Sequence, residues 1–316
     1  MAADARPFRS ILVPLDGSPF AEQALPLARE IARATRSKLR LVLVHELPGP
    51  PVDVASARLY TAIEVAVRKS EREYLRAAAA RLREASPTRV HTALLGGPIG
   101  PALATYVEEI GADLIVMSTH GRGPFRRFWL GSVADHLVRT AEVPVLLVRP
   151  SEQATGPAPP PVIREILVPL DGSPLAEAAL GPASAVAGAL GAGLLLLQVV
   201  QPIVLMTDPP LAVPTGYDDQ LTTIRRREAQ DYLDSLRDKL RAQGLRVSTA
   251  AVVGGSVAPT ILELAGPDRV GLIAIATHGR GGLRRLALGS VADKLVRAAD
   301  QPVLVVRPAK ARRRGS

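Results

Sequence analysis

With 316 residues, 47% of them apolar, the chain can fill two hydrophobic cores of ordinary size, which excludes a disordered polypeptide or a disulfide-stapled miniprotein. Cysteine is absent, so disulfides and thiolate metal centres are excluded and a reducing compartment is the expected setting. The formal charge of +9 does not by itself mark a nucleic-acid binder: arginines alternate with glutamates along stretches such as Arg68 to Glu73, the pattern of a solvated helix face, and 3% aromatic residues are too few for a base-stacking platform. Nucleic acid is therefore not an expected partner. The concentrated basic run, Lys310 to Arg314, lies beyond the last predicted strand and reads as a tail over residues 310–316. No apolar run approaches membrane-spanning length and the opening residues lack a signal-peptide core, so the expected location is the cytoplasm, with no membrane partner.

Taken in order, Arg9 to Asp16 is a short apolar strand ending in a carboxylate. Ser18 then suits a helix N-cap and Pro19 the first helical position, and apolar residues at Ala24, Leu25, Ala28 and Ile31 carry one helix to about Arg36. A second strand is predicted over Leu39 to His45, then a Pro-rich loop to about Ala57, then an amphipathic helix from about Ala62 to Ala85. A third strand, Arg89 to Leu95, runs into Gly96, Gly97 and Pro98, and a helix from about Pro101 to Ile110 leads to a fourth strand over Leu114 to Met117. A helix over Ser132 to Thr140 and a strand over Val145 to Val148 close the unit. Strands alternating with helices specify a parallel sheet covered on both faces, because each parallel crossover needs a covering element.

Residues 151–161 are rich in Pro and Ala and read as a linker, after which the pattern restarts. Ile11 to Pro19 returns as Ile166 to Pro174, and Val143 to Pro150 as Gln301 to Pro308. Two periods of about 150 residues each can close their own cores, so the reading is two tandem α/β domains, 1–150 and 162–309.

A second repeated stretch carries the chemistry. Ser118 to Ser132 returns as Ala276 to Ser290, each copy leaving an apolar strand through Thr-His-Gly-Arg-Gly and entering a helix at Gly-Ser-Val-Ala-Asp. Strand, basic Gly-rich loop and helix start form an anion site in principle, since the first amides of a helix have no intrahelical partner and carry partial positive charge.

Val-Pro-Leu-Asp-Gly-Ser after the first strand, Thr-His-Gly-Arg-Gly before a Gly-Ser helix start, and the closing Pro-Val-Leu strand together resemble the universal stress protein family over nearly the whole chain. The resemblance implies a doubly wound parallel sheet of order 3-2-1-4-5 in each domain, with the ligand crevice where the winding reverses, and an intrachain pseudo-dimer through the last strands. It implies a stress-response protein that binds ATP or a related adenine nucleotide, with or without Mg²⁺, and uses occupancy to set its conformation or its partner. By this resemblance Pro14, Asp16, Pro169 and Asp171 lie at the adenosine end, Val199 packs on the adenine, and the phosphates sit near Ser118, Gly121, Gly131 and Ser132, or Ala276, Gly279, Gly289 and Ser290. The family's first loop glycine is replaced by Ser118 and Ala276 here, and Glu46 is taken as the first domain's counterpart of Val199. A homodimer or a regulatory protein is the further partner implied.

Plainer readings apply to the same residues. Asp16 and Asp171 suit a turn that bonds backbone two residues on, and Gly131-Ser132 and Gly289-Ser290 suit ordinary helix starts. His120 and His278 have no nucleophile beside them, His45, His91 and His136 have no metal-ligand spacing, and no Walker lysine is present. No metal site is expected, and a binder with at most slow hydrolysis is expected rather than an enzyme. The alternative is a nucleotide-free protein–protein scaffold of the same fold.

Overall fold

The structure, a computed structural model, describes residues 7–46, 54–85, 88–119, 130–151, 161–206, 214–266, 269–277 and 288–308. Its chain divides into two compact units, Met1–Pro161 and Val162–Ser316.

In the first unit, β1 (Ser10–Leu15), β2 (Lys38–His45), β3 (Val90–Gly96), β4 (Leu114–Ser118) and β5 (Val145–Val148) are all parallel and lie in the order 3-2-1-4-5. Their connections are α1 (Pro19–Glu22), α2 (Leu25–Thr35), α3 (Val54–Ala85), α4 (Ile99–Glu109) and α5 (Ser132–Thr140). The core lies between sheet and helices: Ile11, Leu12, Leu39, Leu41, Leu114 and Ile115 are fully buried, as are Leu27, Ile31, Leu75 and Leu103 from the covering helices. Strands buried on both faces need no polar alternation, which is why they read as continuous apolar runs.

The second unit repeats the plan with β6 (Glu165–Pro169), α6 (Pro174–Glu177), α7 (Leu180–Leu190) and β7 (Gly193–Val200). A hairpin of β8 (Ile203–Met206) and β9 (Pro214–Asp218) follows, then α8 (Asp219–Arg241), β10 (Val247–Val253), α9 (Val257–Leu264), β11 (Leu272–Ala276), α10 (Ser290–Ala298) and β12 (Val303–Val306). Taken in order along its own sheet, the unit is again 3-2-1-4-5, as β10-β7-β6-β11-β12.

Three elements differ from the sequence reading. The helix expected from Ser18 to Arg36 is two helices, α1 and α2, because Pro26 has no N–H to bond the Glu22 carbonyl; Gln23 and Ala24 donate three residues back instead, to Phe20 and Ala21. Helix α3 starts at Val54 rather than near Ala62. The hairpin β8–β9 is an element that periodicity did not reveal. The basic tail and the linker between Glu152 and Pro160 lie outside the described residues.

Candidate functional site

The carboxyl ends of β1 and β4, where a crevice is expected, part for an identifiable cause. Asp113 N–H donates to Ser10 O at 3.0 Å, which sets the ladder so that even-numbered β1 residues direct their N–H toward β4. The next even position after Leu12 is Pro14, which has no N–H, and the β1–β4 pairing ends at Leu12 with Ile115 although both strands continue. Gly271 N–H to Glu165 O, also 3.0 Å, sets the same register in the second unit, where pairing ends at Leu167 with Ile273, before Pro169. Proline thus splits the sheet where its winding reverses, the place at which open α/β sheets take ligands.

On one side of each split stands the Asp-Gly-Ser turn. Gly17 and Gly172 have φ of 81° and 80°, a conformation that suits glycine, and Ser18 and Ser173 N–H donate to Asp16 and Asp171 Oδ1 at 2.9 Å. Ser18 and Ser173 Oγ then accept from Ala21 and Ala176 N–H, starting α1 and α6. The turn chemistry is therefore real, and it fixes two half-buried carboxylates at the rim of the crevice.

On the other side are the ends of β4 and β11. Ser118 and Ala276 are the last residues of these strands, paired with Val148 and Val306 and buried, and neither has positive φ. The replaced glycine therefore costs no backbone strain here. Thr119 N–H donates to Val148 O and its carbonyl accepts from Gly131 N–H, both at 2.9 Å; Thr277 and Gly289 repeat this at 2.9 and 2.7 Å. The chain is thereby returned beside the strand end to begin α5 and α10. Gly131 and Gly289 are the N-caps, so neither helix start has a capping side chain of its own, and Ser132 and Ser290 follow as exposed first helical residues. Gly121, Gly279, both loop histidines and the loop arginines lie outside the described residues.

The second strand requires a correction. Ile11 pairs with Leu39 and Ile166 with Leu194, and neither unit has an insertion from there to the strand end, so Val199 corresponds to Val44 and not to Glu46. Val44 and Val199 are both half-buried at equivalent positions, whereas Glu46 is exposed and matches Gln201. The apolar residue assigned to one unit is present in both.

Behind the turns a tyrosine stands beside the short helix that follows each of them, a feature that sequence reasoning missed. Tyr232 of α8 donates to Glu177 Oε1 at 2.9 Å, and Tyr74 of α3 lies beside Glu22, the equivalent residue. Burial, then the Glu22 carboxylate, with Asp16 a smaller cause, hold the Tyr74 phenol well above its ordinary value, so it stays protonated. No group of histidines and carboxylates suited to a metal ion occurs among the described residues, and none of their helices is long and apolar enough to cross a membrane.

A model of the universal stress protein family matches residues 7–149 and again 163–307. The chain belongs to the universal stress protein family. A universal stress protein of Mycobacterium tuberculosis is 28% identical over 318 residues, 94% of each chain, and one of Mycolicibacterium smegmatis is 32% identical over 197 residues, 62% of each. Among solved structures, a universal stress protein from Archaeoglobus fulgidus superimposes with a TM-score of 0.67 at 18% identity, covering 97% of this chain and 99% of the other, which is a likeness of fold. The tandem arrangement is thus that of a two-domain universal stress protein.

Proposed function

We propose that this stress-response protein binds one adenine nucleotide in each unit, ATP in the first instance, and that occupancy sets its conformation or its choice of partner. The observation that carries this reading is the repeated geometry: an Asp on a fixed turn and a helix start without a side-chain cap, on opposite sides of a proline-split switch point, in both units. Asp16 and Asp171 would accept hydroxyls of the ribose, and Val44 and Val199 would cover the adenine. The amides opening α5 and α10 would receive the phosphates, with the Ser132 and Ser290 hydroxyls as further donors. Gly121, Gly279 and a Mg²⁺ carried by the nucleotide belong to the same proposal. We assign no phosphoryl-transfer base, so the reading is a cytoplasmic binder and switch, with hydrolysis slow and incidental.

Equilibrium dialysis of nucleotide-stripped protein against labelled ATP tests it. Val44→Glu and Val199→Glu should each weaken one site by about tenfold or more, since a carboxylate against an adenine face is desolvated without a partner. Unchanged binding in both variants, in folded protein, would remove the assignment and favour a nucleotide-free scaffold.

A further inference from the structure

The two units are built alike, so a difference at equivalent positions is informative. Each presents an edge strand, β3 in the first and β10 in the second. Leu39 N–H bonds Arg89 O at 2.9 Å and Leu194 N–H bonds Arg246 O at 2.8 Å, and in a parallel ladder this register turns the backbone groups of Val90, Thr92 and Leu94, or Val247, Thr249 and Ala251, outward.

In the second unit α8 covers that edge. Ala251 N–H donates to Gln230 Oε1 at 3.1 Å, its carbonyl accepts from Arg226 Nε at 3.0 Å, and the Val247 carbonyl accepts from Arg241 at 2.7 Å. Counted from the shared tyrosine, Arg83 is the counterpart of Arg241 and reaches Val90 O at 2.6 Å. There the likeness stops. Arg68, the counterpart of Arg226, donates instead to Glu64 at 3.0 Å, and Arg72 stands in place of Gln230. Among the described residues, no side chain bonds the outward amides and carbonyls of Thr92 and Leu94.

The same edge carries more cations in the first unit, since of Lys38, Arg40, Arg89 and His91 only Arg89 has a basic counterpart in the second, Arg246. Lys38 and Arg40 on β2 share a sheet face with His91 on β3 and with Arg89 just before it, Arg40 and His91 being register partners. The Arg40 Nε is buried with no hydrogen-bond partner among the described residues. His91 is held below its ordinary value first by burial and then by Arg40, Lys38, Arg83 and Arg89, every charged neighbour being a cation. In the second unit the equivalents of Lys38, Arg40 and His91 are Gly193, Leu195 and Ser248, and Ser248 is held by Glu165.

We propose that β3 is a docking edge for an extended acidic segment of another polypeptide, which adds to the first unit as a further strand with its carboxylates beside Arg89 and Arg40. Backbone bonds to Thr92 and Leu94 would supply the pairing, and the cations the selectivity. The same charges repel a second copy's β3, so the edge is kept from self-association while it remains open to an acidic strand. A nucleic acid would use the charges but not the outward ladder, which is why a peptide is the favoured occupant.

The test is fluorescence anisotropy with full-length protein and a labelled, end-blocked ten-residue peptide alternating Glu with Val and Thr, at low salt. Saturable binding is expected, reduced about tenfold or more both by Thr92→Pro, which removes an outward N–H, and by Arg40→Glu combined with His91→Glu. An equally acidic peptide interrupted by proline should bind correspondingly weakly. If Thr92→Pro does not fold, amide exchange at Thr92 and Leu94 in the unaltered protein decides instead, with slowing by the peptide expected. Absence of binding, equal affinity for the proline-interrupted peptide or for an oligothymidylate of the same charge, or unchanged exchange at these amides would overturn the proposal.

Discussion

At the scale of single residues, the prolines of Val-Pro-Leu-Asp do more than precede the acid. Each removes the one N–H that would continue the ladder between the first and fourth strands, and so keeps the crevice open. Pro169→Ala restores that donor. The added backbone bond, worth about 1 kcal/mol, is largely offset by the freedom that the unfolded chain gains on losing the proline, so the urea midpoint should change little while ATP binds at the second site about fivefold more weakly. Unchanged affinity would mean that the split is not what admits the ligand. This role could have been read from the sequence, since a proline inside an otherwise continuous central strand demands an explanation. The placement of Val44 was also within reach: Asp16 and Asp171, then Arg36 and Gly191, align without a gap, and continuing that count gives Val44 opposite Val199. The placement of Tyr74 and Tyr232 beside Glu22 and Glu177 was not legible, because it brings together helices more than fifty residues apart in sequence.

At the scale of elements, the apolar strands and the helices that follow them were legible because burial on both faces and a period of 3.6 leave strong patterns. Helix α5 matches the predicted Ser132 to Thr140, and β5 the predicted Val145 to Val148. The split between α1 and α2 was missed because apolar spacing runs through it, while the cause is local, a proline at the second helical position of α2. The early start of α3 and the hairpin β8–β9 were missed for another reason. Both are exposed, with Leu59, Ile63, Val204 and Tyr217 facing solvent, so no buried face imposed a period on them. The repeat supplies an internal control for helix ends. Helix α2 stops at Arg36 with φ of 56°, and α7 at Gly191 with φ of 65°. A side chain at left-handed φ costs about 1 kcal/mol, so Arg36→Gly should raise stability by up to that amount, whereas Gly191→Ala should lower it by a similar amount. Thermal unfolding followed by circular dichroism reads both, and a destabilised Arg36→Gly variant would show that the arginine side chain contributes more than its backbone costs.

At the scale of the molecule, the tandem organisation was legible because whole motifs recur in order, and because each unit is long enough to close a core. What the repeat alone could not show is how far the copies have diverged. Their switch points are alike: turn, split, apolar residue and glycine-capped helix start are the same in both units, so the two proposed nucleotide sites are of similar construction. Their outer edges are not alike, since α8 side chains bond the outward groups of β10 at Ala251, while among the described residues no side chain bonds those of Thr92 and Leu94 on β3. On the proposed reading such a protein would hold nucleotide in both units and present a partner-binding edge in one. The most direct test of this central claim is calorimetric titration of nucleotide-stripped protein with ATP and Mg²⁺, alone and with Asp16→Ala and Asp171→Ala. Two nucleotides per chain are expected, one remaining in each single variant and none in the double variant at the same ATP concentrations. Full binding retained by the folded double variant, or no binding to the unaltered protein at millimolar ATP, would contradict it.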